Sequence, residues 1–381
     1  MVSLLAASSS TVSFGNRKEI RLMRLPMILI TICGSLAAGT AFARDAGEKM
    51  DSIAAAMPAR VFNALQYGAV GDDKTDNTEA FSACLKALVE AGGGRMYLPE
   101  GIYHGHIVIP PVAKGWVSLE IAGECEPNFV FGTIGTNSLP RHGTIVKGMA
   151  ERGRAVIRAE ASPGSYQNFS SVYVIIRNLD VRTSDDPDIG GIDLHHAQQC
   201  KLENVFVNTG VYNVQASKPT HGTVGISTPA CNNGALTILR NVIVTGYHTG
   251  IRVNEHTDGD SINLASNVNA LQFAFAHHAS RFGRVAAHRC TRSVTVTGKH
   301  GFCIEQLDIE IAGPGQTDEN NEWQATEFNI YDPDNLGTGD LNWWVVEGNV
   351  GAVEKFTKSG GEHVRARRIG SHPLPAENLA K

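Results

Sequence analysis

The sequence predicts an all-β solenoid, a single-stranded parallel β-helix with an N-terminal capping helix. Three observations point there. The runs IIRNLDVRT (175–183), KLENVFVNT (201–209) and ILRNVIVTG (238–246) share one apolar-x-Asn-apolar-x-apolar-x-small pattern. Between them lie GGIDLHH (190–196), VGISTPA (224–230) and TGIRVNE (249–255), each starting on Gly-Ile or a close variant. One amphipathic helix stands near the start, and from about residue 115 onward no comparable one follows. Coils of about 25 residues built from short strands bury their apolar faces only by stacking on one another, which is the mark of a solenoid. Asn at a fixed place in each coil tolerates a left-handed bend and hydrogen-bonds along the stack. An antiparallel sandwich is the competing architecture, and of the Asn-Gly hairpin turns it would need between these runs only Asn233-Gly234 is present.

Composition sets the outer bounds. The 381 residues carry a net charge of −5, 42% hydrophobic and 19% charged residues, and 40 Gly. This excludes a disordered polyelectrolyte and a collagen-like repeat. A mildly acidic balance also argues against a nucleic-acid partner held by overall positive charge. Residues 17–43 combine Arg17, Lys18, Arg21 and Arg24 with an apolar run, Leu25 to Ala38, and the ending Ala41-Phe42-Ala43. Those are the parts of a secretory signal, so residues 1–43 are expected to be a signal peptide with an N-terminal extension. The mature protein is then secreted or periplasmic, with no membrane attachment after cleavage. Cleavage after Ala43 takes the net charge from −5 to −8 and leaves Cys84, Cys125, Cys200, Cys231, Cys290 and Cys303, which are free to pair or to stay buried as thiols.

Residues 44–60 read as a linker. Val61 to Tyr67 reads as a strand and Gly68 to Thr75 as a turn. Asp76 with Glu79 forms a capping box, and Ala80, Phe81, Cys84, Leu85, Leu88 and Val89 recur at helical spacing until Gly92–Gly94 ends the helix. Such a helix caps the exposed first coil. Short strands follow around Pro99-Glu100-Gly101, and the β-helix domain is expected to run over 61–313. Residues 314–381 change character and read as a C-terminal cap, aromatic and loop-rich, closing on EHVRARRIG (362–370) as a last strand with a basic edge.

YGAVGDDKTDNTEAFSACLKAL followed by GGGRMYLPEGIY resembles the N-terminal signature of the pectate-lyase superfamily, shared with polygalacturonase-like proteins and many phage tailspikes. The resemblance covers about residues 61–110, and the coil repeats extend it to about 313. It implies a right-handed parallel β-helix that acts on, or binds, a polysaccharide. Polygalacturonase-like hydrolases carry Asn-Thr-Asp, Asp-Asp, Gly-His-Gly and Arg-Ile-Lys in order. Here DIGGIDL (188–194) is similar to the first element and its strand but lacks Asn-Thr-Asp, and the pair Asp185-Asp186 lies before that strand. Thr220-His221-Gly222 matches the third in part, and GIRVN supplies Arg252 with Asn254 in place of Lys.

The residues that carry chemistry are taken from these coils. Hydrolysis of a glycosidic bond needs two flanking carboxyl groups, and SDDPDIGGIDLHH offers Asp186, Asp188 and Asp193, with His195 two positions after Asp193 and so on the same strand face. His221 and Arg252 are placed on the same outer surface one or two coils away. A lyase reading adds Ca²⁺ at the Asp cluster, with Arg or His taking the proton beside the uronate carboxylate. No other cofactor and no metal site is expected: GDDKTDNTE lacks calcium-loop spacing, and His104 and His106 lack a third ligand. Glu255, Trp343 and Trp344 are the expected substrate-binding residues, since aromatic faces stack on sugars. The competing account puts the Asp turn in solvent and the Trp pair over the open end of the solenoid. The expectations are an exported glycoside hydrolase or polysaccharide lyase, with a non-catalytic, tailspike-like glycan-binding protein as the alternative. Sugar, oligomeric state and disulfide pattern stay open.

Overall fold

The computed structural model describes residues 60–112, 115–124, 143–149, 154–183, 189–209, 223–231, 236–274, 278–288, 290–310, 328–347 and 357–373. The expected signal peptide and most of the linker lie outside these. In chain order the elements begin with β1 (Val61–Asn63), a 3-10 turn over Ala64–Tyr67, β2 (Asp72–Asp76), helix α1 (Thr78–Glu90), β3 (Gly94–Leu98), β4 (Gly101–His104), β5 (Ile107–Ile109), β6 (Val117–Gly123), β7 (Thr144–Lys147) and β8 (Ala155–Ala159). Long and short strands then alternate: β9 (Val172–Arg182), β10 (Gly190–Asp193), β11 (Gln199–Asn208), β12 (Val224–Ser227), β13 (Thr237–Thr245), β14 (Thr249–Val253), β15 (Thr257–Ala265), β16 (Asn269–Phe273), β17 (His278–His288), β18 (Arg292–Val296), β19 (His300–Glu310), β20 (Phe328–Asp332), β21 (Thr338–Glu347), β22 (Lys358–Gly360) and β23 (Val364–Pro373).

All pairing is parallel and joins strands one coil apart. The long-strand sheet runs β1-β3-β6-β9-β11-β13-β15-β17-β19-β21-β23, with β2, β4 and β7 paired beside its start, and the short-strand sheet runs β5-β8-β10-β12-β14-β16-β18-β20-β22. This is the expected parallel β-helix. Both sheets continue past residue 313 through β20–β23, so the strand pattern has no break there.

Four consecutive long strands, β9, β11, β13 and β15, each bend at one residue. Asn178, Asn204, Asn241 and Ser261 hold φ of 56°, 54°, 50° and 56° at equivalent positions. Asn204 Nδ2 donates to Asn178 Oδ1 at 3.1 Å, and Asn241 Nδ2 to Asn204 Oδ1 at 3.0 Å. The repeated Asn is therefore the corner of the coil, and the ladder satisfies amides that the bend would otherwise leave to water.

The core is stacked in rows. Ile157, Ile192, Ile226, Ile251, Leu271, Val294 and Ile330 are in register along the short strands and are buried. Opposite them run Leu179, Val205, Val242, Ile262, Val285 and Leu307. The Gly before each Ile is explained by this packing. A Cβ on Gly225 would stand 2.2 Å from Val244 Cγ1 and 2.7 Å from the Gly250 carbonyl, and one on Gly191 would stand 2.2 Å from Val207 Cγ1.

Near the N-terminus, α1 buries Phe81, Cys84, Leu85 and Leu88 in the same core. Its start differs from the capping box expected. Asn77 is the N-cap residue, but its side chain is turned away to Val70 and the carbonyls of Thr75 and His104, while Asp76 accepts from Thr78 N at 3.0 Å and Thr78 Oγ1 at 2.7 Å. The expected strand over 61–67 stops at Asn63, whose side chain accepts from Leu65 N and opens the 3-10 turn. Asp72–Asp76, with Asp72 to Thr75 expected as turn, pairs with β4. Among the described residues Cys84, Cys200, Cys231, Cys290 and Cys303 are free thiols, and burial pushes Cys84, Cys200 and Cys290 up to about 12, beyond ready oxidation. No described helix is long and apolar enough to cross a membrane.

Candidate functional site

Because Ile192, Ile226, Ile251, Leu271, Val294 and Ile330 point inward, the residue after each faces out. The resulting outer row reads Arg158, Asp193, Ser227, Arg252, Gln272, Thr295, Tyr331, one residue per coil at the inter-strand spacing of about 4.8 Å. Two residues expected from the sequence, Asp193 and Arg252, stand in it with Ser227 between them.

The turn after β10 supplies His195. Asp193 Oδ1 accepts from the His195 backbone N–H at 3.0 Å, which closes an Asx turn and ends the strand at Asp193. His195 is thus not on the strand face with Asp193 but at the corner beside it. The corner is pinned from two sides, by Ala230 N donating to the His195 carbonyl at 3.1 Å and Ser170 N to the His196 carbonyl at 2.8 Å. The His195 ring packs edge-on to His196 (centroids 4.9 Å apart) and 6.4 Å from Phe169, which with Ala230 and Cys231 forms an apolar cluster separate from the main core. Phe169 reaches this corner through an excursion in which Gln167 and Asn168 both take φ above +50°. Ser165 Oγ bridges the Ser162 and Phe169 carbonyls there. Non-glycine residues in this region cost of order 1–3 kcal/mol each, and they persist where surrounding contacts over-determine them.

Electrostatics follow from that packing. Burial pulls His195 below the usual imidazole value of 6.5, the Asp193 charge pulls it back up, and the His196 and Arg252 charges lower it. The ring is therefore a neutral base at physiological pH. Arg252 donates from Nε to Gln272 Oε1 at 3.1 Å, and Gln272 Nε2 donates to Thr297 Oγ1 at 3.3 Å. Among the described residues no carboxylate pairs with Arg252, whereas Arg158 is held by Glu160 at 2.9 Å.

Other expected site residues do not join this row. Glu255 is fully buried, so it is corrected from a substrate contact to an interior residue of the turn after β14. It lies near Cys231, whose thiol is pushed up by burial first and by the Glu255 charge. Trp343 is also corrected. Its register partner is Leu307, so it continues the inward row Leu179 to Leu307 and keeps 6% of its surface, too little for a sugar platform. The side chain of Trp344, and Asp185, Asp186, Asp188 and His221 altogether, lie outside the described residues. Among the described residues no three His, Cys, Asp or Glu side chains gather as a metal site. Sequence reading missed Gln272, Arg292 and Tyr331 on this face; only the coil register relates them, and no local motif marks them.

Fold and face define a parallel β-helix with a polar working row on its short-strand sheet. Residues 61–315 match the family described as Rhamnogalacturonase A/epimerase, pectate lyase-like, and the chain belongs to that family. It is similar to Alginate lyase 7 of Azotobacter vinelandii, 50% identical over 42 residues, 11% of this chain and 5% of that protein. It is also similar to Mannuronan C5-epimerase AlgE3 of the same organism, 42% identical over 59 residues, 16% of this chain and 3% of that one. The chain thus spans a small fraction of the length of these curated relatives. Among solved structures, the A-module of Azotobacter vinelandii mannuronan C-5 epimerase AlgE4 aligns over 82% of this chain and all of that module, at 11% identity and a TM-score of 0.35. Tailspike protein 2 of Escherichia coli O157:H7 bacteriophage CAB120 aligns over 81% of this chain and 46% of that protein, at 9% identity and a TM-score of 0.39.

Proposed function

We propose that this chain acts on an acidic polysaccharide by abstracting the proton beside a uronate carboxylate, the step shared by polysaccharide lyases and uronate epimerases. The observation that carries the reading is a half-buried, neutral His195 beside Asp193, with the guanidinium of Arg252, held by Gln272 and by no carboxylate among the described residues, on the same outer row as Asp193. Relatives named as an alginate lyase and mannuronan epimerases support it.

In this mechanism the glycan lies along the outer row. Arg252 pairs with the carboxylate of the reacting sugar and stabilises the charge that develops there when C5 loses its proton. His195 takes that proton on its free ring nitrogen. The C5–H electron pair moves into the carboxylate as an enediolate. Returned toward C4, it expels the O4 leaving group and forms a C4=C5 double bond, which is elimination. Reprotonation from the opposite face instead inverts C5. Asp193 stabilises the imidazolium formed meanwhile. Hydrolysis would need a second carboxylate besides Asp193, drawn from Asp186 or Asp188. The basic, apolar and small-residue order of residues 17–43 supports action outside the cytoplasm.

The test incubates the full chain with polymannuronate and with polygalacturonate in D2O. Ultraviolet absorbance follows unsaturated uronate, proton NMR follows C5, and a reducing-end assay runs beside them. Unsaturation, or deuterium at C5 with inversion, is expected. Reducing ends without unsaturation would point to hydrolysis, and binding with none of the three signals to a glycan-binding protein.

A further inference from the structure

Two coils beyond Arg252, the outer face carries a second guanidinium that the reaction does not use. Arg292 opens β18, and its Cζ lies 3.8 Å from the centre of the Tyr331 ring on the next coil, a cation–π stack that holds the guanidinium flat. Tyr331 is braced in turn by Phe328, at 5.5 Å between centroids. The only hydrogen bond to this guanidinium among the described residues is a long one, Nη1 to Asn269 Oδ1 at 3.4 Å, and that oxygen already accepts from Thr295 Oγ1 at 3.0 Å. Its Nε is buried without an acceptor. The carboxylate next to Tyr331 in the chain, Asp332, is fully buried and turned to the amides of Leu336 and Gly337, at 2.8 and 2.9 Å. Among the described residues Arg292 is therefore a rigid, weakly satisfied cation, and leaving it so is costly unless something anionic completes it.

The row around it matches such a ligand. From Ser227 to Tyr331 the outward positions are Ser, Arg, Gln, Thr and Tyr, with no carboxylate, although the whole chain is acidic. Arg252 and Arg292 lie on strands two steps apart and three register positions offset along them, roughly 14 Å between backbones at the usual strand spacing and rise, within the span of one oligosaccharide.

We infer that Arg292, held flat by Tyr331, is a second carboxylate-binding subsite, which takes a uronate carboxylate on the same chain whose reacting sugar pairs with Arg252. The inference rests on reading this face as the polysaccharide face, and not on the chemistry at His195. Its role is specificity: it favours chains that carry a carboxylate on more than one sugar and rejects neutral ones.

Isothermal titration of the full chain with a hexamannuronate, its carboxyl-reduced neutral counterpart and a sulfated neutral hexasaccharide tests it. Arg292→Ala is expected to weaken hexamannuronate binding tenfold or more and leave the neutral hexamer unchanged. Arg292→Lys should keep part of the affinity. Tyr331→Ala should weaken the acidic ligand in the same sense by freeing the guanidinium, and Tyr331→Phe should not. Thermal midpoints near that of the parent chain confirm that the variants fold. Unchanged binding in Arg292→Ala, or equal losses for acidic and neutral hexamers, would overturn the subsite. Tighter, Arg292-dependent binding of the sulfated hexamer would overturn its assignment to carboxylate. Binding that depends on Arg292 in a chain showing no turnover would refute the proton-abstraction reading and leave the subsite standing.

Discussion

The two sheets turn very different outer faces to solvent. On the long-strand sheet the charges are used up against one another: Arg177 with Glu120, Lys201 with Glu203, Arg240 with Asp258, Arg281 with Glu305 and Arg365 with Asp340 meet at 2.6–3.0 Å, mostly between neighbouring coils. On the short-strand sheet Arg252 and Arg292 lack a carboxylate partner among the described residues, and a half-buried imidazole stands at the edge of the row. Cross-strand ion pairs insulate a face and set register. Charges held rigid but not neutralised mark a face built for something else.

The largest effect that separates the faces is expected at His195. His195→Ala should lower turnover on the acidic polysaccharide by about a hundredfold or more, read from initial rates, with the thermal midpoint little changed. Loss of the fold rather than of turnover would contradict the role. In the shared core, Gly225→Ala should instead destabilise by about 1–3 kcal/mol, because Val244 and a backbone carbonyl occupy the space its methyl needs. Chemical denaturation measures it, and a neutral result would mean that the row is not packed as described. At the other extreme Arg281→Ala on the long-strand face should leave both activity and thermal midpoint unmoved, since exposed pairs contribute little. A clear loss there would erase the contrast between faces.

How much of this the sequence showed depends on the kind of relation involved. The Asn bends, the Gly-Ile starts and the single capping helix repeat within one coil, so periodicity exposes them. Asp193 and His195 are neighbours in the chain and were visible together, although the Asx turn that sets His195 off the strand was not. Arg292 and Tyr331 meet only because β18 and β20, separated in the chain by β19, are in register, and no local pattern encodes that. Trp343 shows the same limit. Alternation says that Trp343 and Trp344 face opposite ways, but only the register with Leu307 says which of them is inside. Phe169 comes from a strained excursion with no periodic signal at all.

The pH dependence tests the central claim, that the half-buried His195 at the corner beside the short-strand row is the base. Burial depresses its pKa, so the neutral, active form dominates above that value, and kcat/KM should rise with pH through a midpoint below 6.5. The Asp193 charge raises this pKa, so Asp193→Asn should move the midpoint lower, and the Arg252 charge lowers it, so Arg252→Ala should move it higher, whatever each does to the maximal rate. The decisive measurement is the carbon-13 NMR titration of His195 in the full chain, set beside the pH profile of kcat/KM. The expected result is one shared midpoint below 6.5 that shifts together in Asp193→Asn. A His195 that titrates at or above 6.5, or a kinetic midpoint that stays in place when the His195 titration moves, would contradict the account.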